Sequence, residues 1–326
     1  MTAVGIVGIG HALPDKVVTN HDIAKMVDTS DAWIQTRTGI RERRVAAPGE
    51  GTSGLAAAAA RKALDQARLE PEDVDLLIVG TTTPDVPIPS CACFVQKALK
   101  ARNAVCFDLA AACAGFVYSL STAQQFLLTG MYRNALVIGA EEITPYIDWT
   151  DRSTCILFGD GAGACVLGKV AGRGIMASHL GSDGNFAELI MIPAGGSARP
   201  ASAETVARGE HYLRMNGAEV FKLAVRNMVA SIEAVLAKTG VRASEIACVI
   251  PHQANMRIIE AVSERLSVPK ERIFVNLDRY GNTSSASVVM ALSEAVAARK
   301  VRNGDLVLLT TFGAGLVWGS VILEWS

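Results

Sequence analysis

Hydrophobic residues along this chain form short runs that alternate with longer segments of helical spacing. Gly5 to Gly8 is a short apolar run, an Ala-rich helical pattern covers Leu55 to Arg68, and Leu76 to Val79 is apolar again. Short buried strands separated by helices are typical of βαβ units, whose strands run parallel. The pattern therefore predicts an α/β protein with a largely parallel sheet.

The same alternation continues through the rest of the chain. Further strands are predicted at Ala104–Asp108, Ala135–Ala140, Ala162–Gly168, Ile246–Pro251, Ile273–Leu277, Leu306–Thr311 and Val317–Glu324. Further helices are predicted at Cys113–Leu128, Glu219–Thr239, Met256–Leu266 and Thr283–Arg299. The segment from Asn185 to Arg214 is rich in loop residues and lacks periodicity, which predicts a cap on the fold or an excursion from it rather than a linker between free domains.

Two parts of the chain resemble each other. Phe158 to Gly163 and Phe312 to Gly315 are both glycine-rich and both precede a predicted strand. A strand, a loop and a small-residue helix follow one another at 104–128 and again at 273–299. This similarity indicates a duplicated fold with halves at 1–170 and 171–326. If the halves pack about a pseudo-twofold axis, loops after corresponding strands meet at one central pocket.

Composition and charge exclude several classes of protein. The 326 residues are 50% hydrophobic and 19% charged, as in soluble globular proteins. Their net charge of −1 provides no overall electrostatic attraction for nucleic acid or for an anionic membrane. The first ten residues do not form a secretory signal, which predicts a cytoplasmic protein. Two uncharged stretches, 109–132 and 306–323, are interrupted by polar residues or glycines, so we expect a buried helix and a buried hairpin rather than membrane spans.

The cysteines indicate reduced thiols rather than a disulfide framework. There are seven, an odd number, and most lie among Ala and Val residues, as expected in a cytosolic protein. Cys91 and Cys93 are one residue apart and have no second Cys or His pair at zinc spacing. We therefore expect no metal site.

Cys113 is the first candidate for chemistry. It follows a predicted strand and stands where a long helix should begin, so the positive end of the helix dipole would favour its thiolate form and make it a nucleophile. The neighbouring alanines and Gly115 would leave room for a substrate. The alternative is a small buried thiol at a crowded helix start.

His252 and Asn282 are the other candidates. His252 ends an apolar strand, where α/β sheets display functional residues, although an interior structural histidine is an equal alternative. Asn282 is either a helix cap or a side-chain donor to a developing oxyanion. A Cys, a His and an Asn from three loops of a duplicated fold would form a coherent thioester site.

Two glycine motifs could suggest a nicotinamide-dependent oxidoreductase, which is the alternative from a different class. Gly159-x-Gly161-x-x-Ala164 formally fits the dinucleotide fingerprint, but a predicted strand follows it where that mechanism requires a helix N-terminus. Gly8-x-Gly10 leads into a loop. Neither motif supports dinucleotide binding.

The motifs together resemble a known family. Ala111-Ala112-Cys113-Ala114-Gly115, His252-Gln253-Ala254-Asn255, Gly281-Asn282-Thr283-Ser284, and Thr36-Arg37-Thr38-Gly39-Ile40 with Asp151-Arg152 are similar to the motifs of β-ketoacyl-acyl carrier protein synthase III, of the thiolase superfamily. The resemblance covers essentially the whole chain. It implies a duplicated, five-layer αβαβα thiolase fold and a homodimer.

The resemblance also implies a reaction. A primer acyl-CoA is condensed with malonyl-acyl carrier protein to start fatty-acid synthesis, without a metal or redox cofactor. Cys113 would carry the acyl group, and the backbone N–H groups of Cys113 and Ala314 would form the oxyanion hole. His252 and Asn282, as neutral donors, would stabilise the enolate that forms when malonyl loses carbon dioxide.

The resemblance also implies which residues contact the substrates. Trp33, Arg37 and Arg152 would bind CoA, with an indole and a guanidinium sandwiching the adenine and arginines meeting phosphate. A basic patch of Lys222, Arg257 and Arg265 would receive the acidic carrier protein. Without the resemblance, these residues have ordinary explanations: a helix anchor for Trp33 and solvated side chains for the others.

Three positions depart from the family pattern. Ile88 stands where Phe often closes the primer pocket, which leaves primer size open; Ala314 replaces a glycine, and Ala218 replaces a polar residue near pantetheine. A related starter-unit acyltransferase of secondary metabolism would retain Cys113 and His252, and it remains the alternative within the superfamily.

Overall fold

The computed structural model describes residues 3–326. The strands are β1 Ala3–Ala12, β2 Val17–Thr19, β3 Glu42–Arg44, β4 Leu76–Gly80, β5 Val105–Leu109, β6 Ala135–Glu141, β7 Gly161–Val170, β8 Ile175–Ser182, β9 Ile190–Met191, β10 Arg214–Met215, β11 Ile246–Pro251, β12 Leu306–Gly313 and β13 Val317–Glu324. The helices are α1 Asn20–Ile23, α2 Asp31–Thr38, α3 Thr52–Ala67, α4 Cys91–Leu99, α5 Gly115–Leu128, α6 Arg152–Cys155, α7 Ala203–Ala207, α8 Gly217–Thr239, α9 Met256–Leu266, α10 Leu277–Tyr280 and α11 Ala286–Ala297.

Two main sheets repeat one strand order. The first sheet runs β1-β7-β6-β4-β5 and the second runs β8-β13-β12-β11. In the second sheet a single parallel bridge between Val249 and Ile273 lies where the first sheet has β5. The fold is therefore duplicated, as the sequence predicted.

The sheets and helices form five layers. Helices α5 and α11 pack between the two sheets, α3 covers the outer face of the first sheet, and α8 covers the outer face of the second. The central core joins Phe116 and Leu120 of α5 with Val288 and Leu292 of α11 and with both sheets. This is the αβαβα arrangement of the thiolase fold.

The expectation of a largely parallel sheet is wrong. Strand β4 is parallel to β5 and β6, and β11 is parallel to β12, but β7 is antiparallel to both its neighbours and so is β13. A three-residue loop joins β12 to β13, and so short a connection permits only an antiparallel pair. Each sheet is mixed.

Most predicted elements are present, and one predicted strand is not. The hairpin at the C-terminal end and the helix after Cys113 lie where expected. The strand predicted at Ile273–Leu277 is reduced to the bridge at Ile273, because Leu277 already begins the short helix α10. That helix leads directly into Asn282.

The segment 185–214 is an excursion from the main sheets that borders the main cavity, which agrees with the predicted cap or excursion. It contains α7 and β9 and leads into β10, which pairs with β9, and Ile190 of β9 and Met215 of β10 line the main cavity. Within residues 3–326, no helix is both long enough and apolar enough to cross a bilayer.

Candidate active site

The main cavity lies where loops of both halves meet. Its volume is about 930 Å³, and Cys113, His252 and Asn282 all line it. Cys113 follows β5, His252 follows β11, and Asn282 lies between α10 and α11. The structure therefore brings the three sequence-predicted residues to one cavity.

Strand β12 forms hydrogen bonds with the backbone of both Cys113 and His252. The Thr311 hydroxyl donates to the Cys113 carbonyl at 2.9 Å, and the adjacent Thr310 carbonyl accepts from the His252 N–H at 2.8 Å. A Cβ added to Gly313 would lie 2.7 Å from the Cys113 nitrogen. Only glycine permits this approach of the strand to the nucleophile.

Cys113 lies in a short 3-10 turn, Ala112–Ala114, directly before α5. Ala112 has φ 42°, in the left-handed region that non-glycine residues seldom adopt. Burial raises the pKa of the Cys113 thiol to about 11, and the charge of Glu141 acts in the same direction, while a hydrogen bond from Ser284 opposes them. In the free protein desolvation therefore outweighs the expected thiolate-favouring effect of the helix start.

Gly115 does not provide space for a substrate. It is buried against the β4 backbone at Gly80, and an added Cβ would lie 3.2 Å from the Ser285 Cβ. The residue instead allows the start of α5 to pack closely between β4 and the start of α11.

His252 is held as a neutral ring. It is 4% exposed, and burial lowers its pKa to about 4. Nδ1 lies 2.5 Å from the Ser287 Oγ, which also accepts the Gln253 N–H at 3.3 Å. Because that oxygen already accepts one N–H, its own proton can point to Nδ1, so we assign the ring proton to Nε2. His252 is then a neutral hydrogen-bond donor.

Asn282 is fixed on both its backbone and its side chain. Its N–H donates to the Leu157 carbonyl at 2.8 Å, and its carbonyl accepts from Gly159 at 3.1 Å. The side-chain Oδ1 accepts the Ser284 N–H at 2.8 Å. With Oδ1 engaged in this cap-like contact, the Nδ2–H₂ group is the part of the amide left to donate to a ligand.

The predicted CoA contacts lie together at the cavity wall. Trp33, Arg37 and Arg152 all line the cavity, and the guanidiniums of Arg152 and Arg37 lie 4.8 and 5.5 Å from the centre of the indole. A base between two planar groups needs roughly 7 Å, twice an ordinary stacking contact. The predicted sandwich therefore requires a guanidinium to move away from the indole; Arg152 is held in its present position by a 2.7 Å hydrogen bond to the Asp28 carbonyl.

The predicted carrier-protein residues divide into two groups. Lys222 and Arg257 lie at the cavity, where Lys222 pairs with Glu219 at 2.9 Å and Arg257 covers the Phe221 ring at 5.6 Å. Arg265 is exposed in the last turn of α9 and does not line the cavity.

Of the three departures from the family pattern, Ala218 and Ala314 line the cavity. Ile88 does not, and it is 88% exposed. The loop before α4 carries this side chain to the surface of its own chain, and the assignment of Ile88 to a primer pocket stays a prediction.

Sequence reasoning missed the residues that hold the candidate site. Ser284, Ser287, Thr310, Thr311 and Glu141 contact Cys113, His252 or Asn282, or lie one hydrogen bond further away. A run of serines after Asn282 and an acidic residue ending the apolar strand β6 were visible signals. The glycine motifs carry no dinucleotide site, since Gly8 and Gly10 lie within β1 and Gly161 begins β7.

The duplicated five-layer fold and the Cys–His–Asn cavity define a condensing enzyme of the thiolase superfamily. Family models described as 3-oxoacyl-[acyl-carrier-protein] synthase III match residues 107–184, and the C-terminal part of the same family matches residues 236–325. The chain belongs to the β-ketoacyl-acyl carrier protein synthase III family and is an acyl-transferring enzyme.

Individual relatives agree over the full length. The β-ketoacyl-[acyl-carrier-protein] synthase III of Caldanaerobacter subterraneus subsp. tengcongensis is 53% identical, over 99% of this chain and 98% of that protein. The one from Symbiobacterium thermophilum is 54% identical, again over 99% and 98%. The crystal structure of the Aquifex aeolicus synthase III is 47% identical, with a TM-score of 0.92 over 99% of this chain and 100% of that chain.

Proposed function

We propose that this enzyme condenses a primer acyl-CoA with malonyl-acyl carrier protein in a decarboxylative Claisen reaction that initiates fatty-acid synthesis. The observation that carries the proposal is the convergence of Cys113, His252 and Asn282 on one cavity of about 930 Å³. Relatives with half their residues identical are named as this synthase, which favours it over a starter-unit acyltransferase.

Acyl transfer to Cys113 is the first half-reaction. The thiol sulfur attacks the thioester carbonyl, CoA leaves as a thiol, and an acyl-cysteine remains. Developing charge on the carbonyl oxygen meets the backbone N–H groups of Cys113 and Ala314. The close approach of Gly313 to the Cys113 backbone supports a rigid arrangement of these two donors.

Decarboxylation is the second half-reaction. When the malonyl group loses carbon dioxide, the carbanion is an enolate whose oxygen needs donors. The neutral His252 ring and the Asn282 amide supply two. Neutral donors stabilise the enolate without a full opposite charge, so the carbanion remains able to attack the acyl-cysteine.

Substrate binding uses the outer cavity. Trp33, Arg37 and Arg152 bind the CoA nucleotide once a guanidinium has moved away from the indole. Lys222 and Arg257 at the cavity, with Arg265 further along α9, meet the acidic carrier protein. Their charges act mainly on the association rate, which should fall with rising salt.

We extend the proposal to assembly, location and cofactors. A homodimer would cover the free edge of β5, where Val105 is 49% exposed and unpaired strand edges favour association. The seven free thiols suit the reducing cytoplasm. The chemistry needs a thiol and two donors, so we expect no metal or redox cofactor and full activity after dialysis against a chelator.

The test is to incubate the protein with a panel of acyl-CoAs and to weigh the intact enzyme. A mass increase equal to one acyl group, mapped to Cys113, and a β-ketoacyl product with malonyl-acyl carrier protein support the proposal. Acyl transfer to an alcohol or amine in place of condensation would contradict it and would favour the starter-unit acyltransferase.

A further inference from the structure

Gln253 is a buried glutamine that the chemistry above does not use. It directly follows His252 and is 1% exposed. Its Nε2 donates to the Pro251 carbonyl at 2.7 Å and to the Phe274 carbonyl at 3.2 Å, and its Oε1 accepts the Asn276 N–H at 3.0 Å. These partners fix the orientation of the amide, because carbonyls only accept and an N–H only donates.

The partners of Gln253 belong to an interrupted parallel ladder. Strand β11 meets the segment before α10 at the isolated bridge between Val249 and Ile273, where the Phe274 N–H donates to the Val249 carbonyl at 3.0 Å. Hydrogen bonds in a parallel pair are evenly spaced, so the next two would join Pro251 to Phe274 and Asn276. Proline has no N–H to donate to the Phe274 carbonyl, so the regular ladder stops there.

The Gln253 side chain takes the place of this missing peptide group. Its Nε2 donates to the Phe274 carbonyl in place of a Pro251 N–H, and its Oε1 accepts the Asn276 N–H in place of the Pro251 carbonyl. The Pro251 carbonyl accepts from the same Nε2. One side-chain amide, with two donor hydrogens and an acceptor oxygen, therefore pairs three backbone groups at the end of the ladder.

The Gln253 amide joins the segments that carry the two enolate donors. On one side, His252 precedes it in the chain, and the His252 N–H is bound to the Thr310 carbonyl of β12 at 2.8 Å. On the other side, Asn276 immediately precedes α10, and α10 leads into Asn282. The separation of the His252 ring and the Asn282 amide therefore depends on this contact.

Helix α10 can transmit the position of Asn276 to Asn282 because it is held as a unit on α11. Glu294 of α11 accepts a hydrogen bond from the Asn276 side chain at 3.0 Å and pairs with Arg279 at 2.7 Å. The Tyr280 hydroxyl donates to the same carboxylate at 2.5 Å. Contacts before and within a helix of only four residues leave it little freedom to bend, so a shift at Asn276 should reach Asn282.

We propose that Gln253 is a positioning residue that holds His252 and Asn282 at the separation at which both donate to the enolate oxygen, an inference that rests on the proposed function. Gln253 does not line the cavity and acts only through these two residues. Two donors on separate segments must both lie about 2.7–3.1 Å from the oxygen, so their relative position decides the rate. Cys113 lies in the other half of the chain, and acyl transfer does not depend on this contact.

Two substitutions of Gln253 test the proposal. Gln253→Met keeps the length of the side chain and removes all three hydrogen bonds. Gln253→Glu keeps the shape, and only its protonated form can both accept the Asn276 N–H and donate to a carbonyl. The matched control is Gln124→Met, which removes another buried glutamine amide that lies outside the cavity and donates to the Ile175 carbonyl at 2.8 Å.

Each variant is measured in separate half-reactions. Labelled malonyl-acyl carrier protein without acyl-CoA gives carbon dioxide release, intact-protein mass after addition of acyl-CoA gives the rate of acylation, and urea unfolding gives stability. Gln253→Met should lower kcat for carbon dioxide release about 10²-fold, as a displacement of about 1 Å does, with KM and acylation unchanged. Gln124→Met should lose stability without slowing either half-reaction.

Gln253→Glu gives a readout in its pH dependence. A buried carboxyl that faces two carbonyl oxygens favours its protonated form. The charge of Glu294, one hydrogen bond beyond Asn276, acts in the same direction and is opposed by Arg279. As pH falls from about 8 to 6, carbon dioxide release by this variant should therefore rise relative to that of the wild type.

Carbon dioxide release at the wild-type rate in Gln253→Met would overturn the proposal, and so would equal slowing of both half-reactions, which would mark a purely structural role. If Gln253→Met does not fold, Gln253→Glu decides, because a rate relative to wild type that does not change with pH would refute the positioning role. A wild-type protein that neither forms an acyl-enzyme nor releases carbon dioxide would instead reject the proposed function.

Discussion

Replacing Ser287 with alanine isolates the group that orients His252. The substitution removes the Oγ that lies 2.5 Å from Nδ1 and accepts the Gln253 N–H, and Ser287 is 1% exposed. A buried polar group left without its partner lowers the free energy of unfolding by about 1–3 kcal/mol. Without this contact, the ring can also place its proton on Nδ1 and lose the donor that faces the enolate.

Complete loss of one donor to a developing oxyanion reduces the rate by about 10²–10³-fold. Ser287→Ala should remove the Nε2–H donor of His252 only in part, so decarboxylation should slow by roughly 10- to 100-fold. Acylation of Cys113 should be unchanged, because the ring is not the acceptor of the thiol proton. Carbon dioxide release, intact-protein mass and urea unfolding measure the three quantities.

Ser293→Ala is a matched control on the same helix. Its Oγ contacts a ring nitrogen of His11 at 2.9 Å, and neither residue lines the cavity. It should reduce stability without slowing decarboxylation. If Ser287→Ala released carbon dioxide at the wild-type rate, or if it slowed both half-reactions equally, the assigned role of Ser287 would be wrong.

Three further predictions concern Gly313, the pH dependence of stability, and Ile88. Gly313→Ala places a Cβ 2.7 Å from the Cys113 nitrogen and should slow acylation by about 10²-fold, as small displacements of reacting groups do; rapid acylation in a quench assay would contradict this. His252 has a lowered folded-state pKa of about 4, so its contribution to the free energy of unfolding should fall by up to about 3 kcal/mol as pH drops from 6.5 to 4, and urea unfolding of His252→Asn should lack that slope. Ile88→Phe should leave the acyl-CoA preference unchanged in the mass assay, since Ile88 lies outside the cavity of its own chain; a shift toward acetyl-CoA would show that this residue reaches a primer pocket.

Two of the three candidate catalytic residues could be predicted from the sequence because they directly follow strands. Cys113 follows β5 and His252 follows β11, and both strands are mostly apolar and bounded by loops. The duplicated fold was predictable for a similar reason, since strand, loop and small-residue helix recur in the same order. Such patterns depend only on residues that are neighbours in the sequence, so they can be recognised without the structure.

The missed features depend on contacts between distant segments. Glu141 meets Ser284 across 143 positions, and Arg152 meets Trp33 only in the folded chain. The raised pKa of Cys113 reflects burial by both halves, which outweighs the local effect of the helix start. The predicted strand at 273–277 failed because its residues have strand-like composition but only Ile273 finds a neighbouring strand.

The central claim is that Cys113 carries the acyl group while His252 and Asn282 stabilise the enolate. The most direct measurement follows acylation and carbon dioxide release separately in Cys113→Ala, His252→Ala and Asn282→Ala. Cys113→Ala should form no acyl-enzyme yet still release carbon dioxide, whereas the other two should be acylated but decarboxylate about 10²–10³-fold more slowly. If His252→Ala abolished acylation and left decarboxylation intact, His252 would be the base for Cys113 and the account would be contradicted.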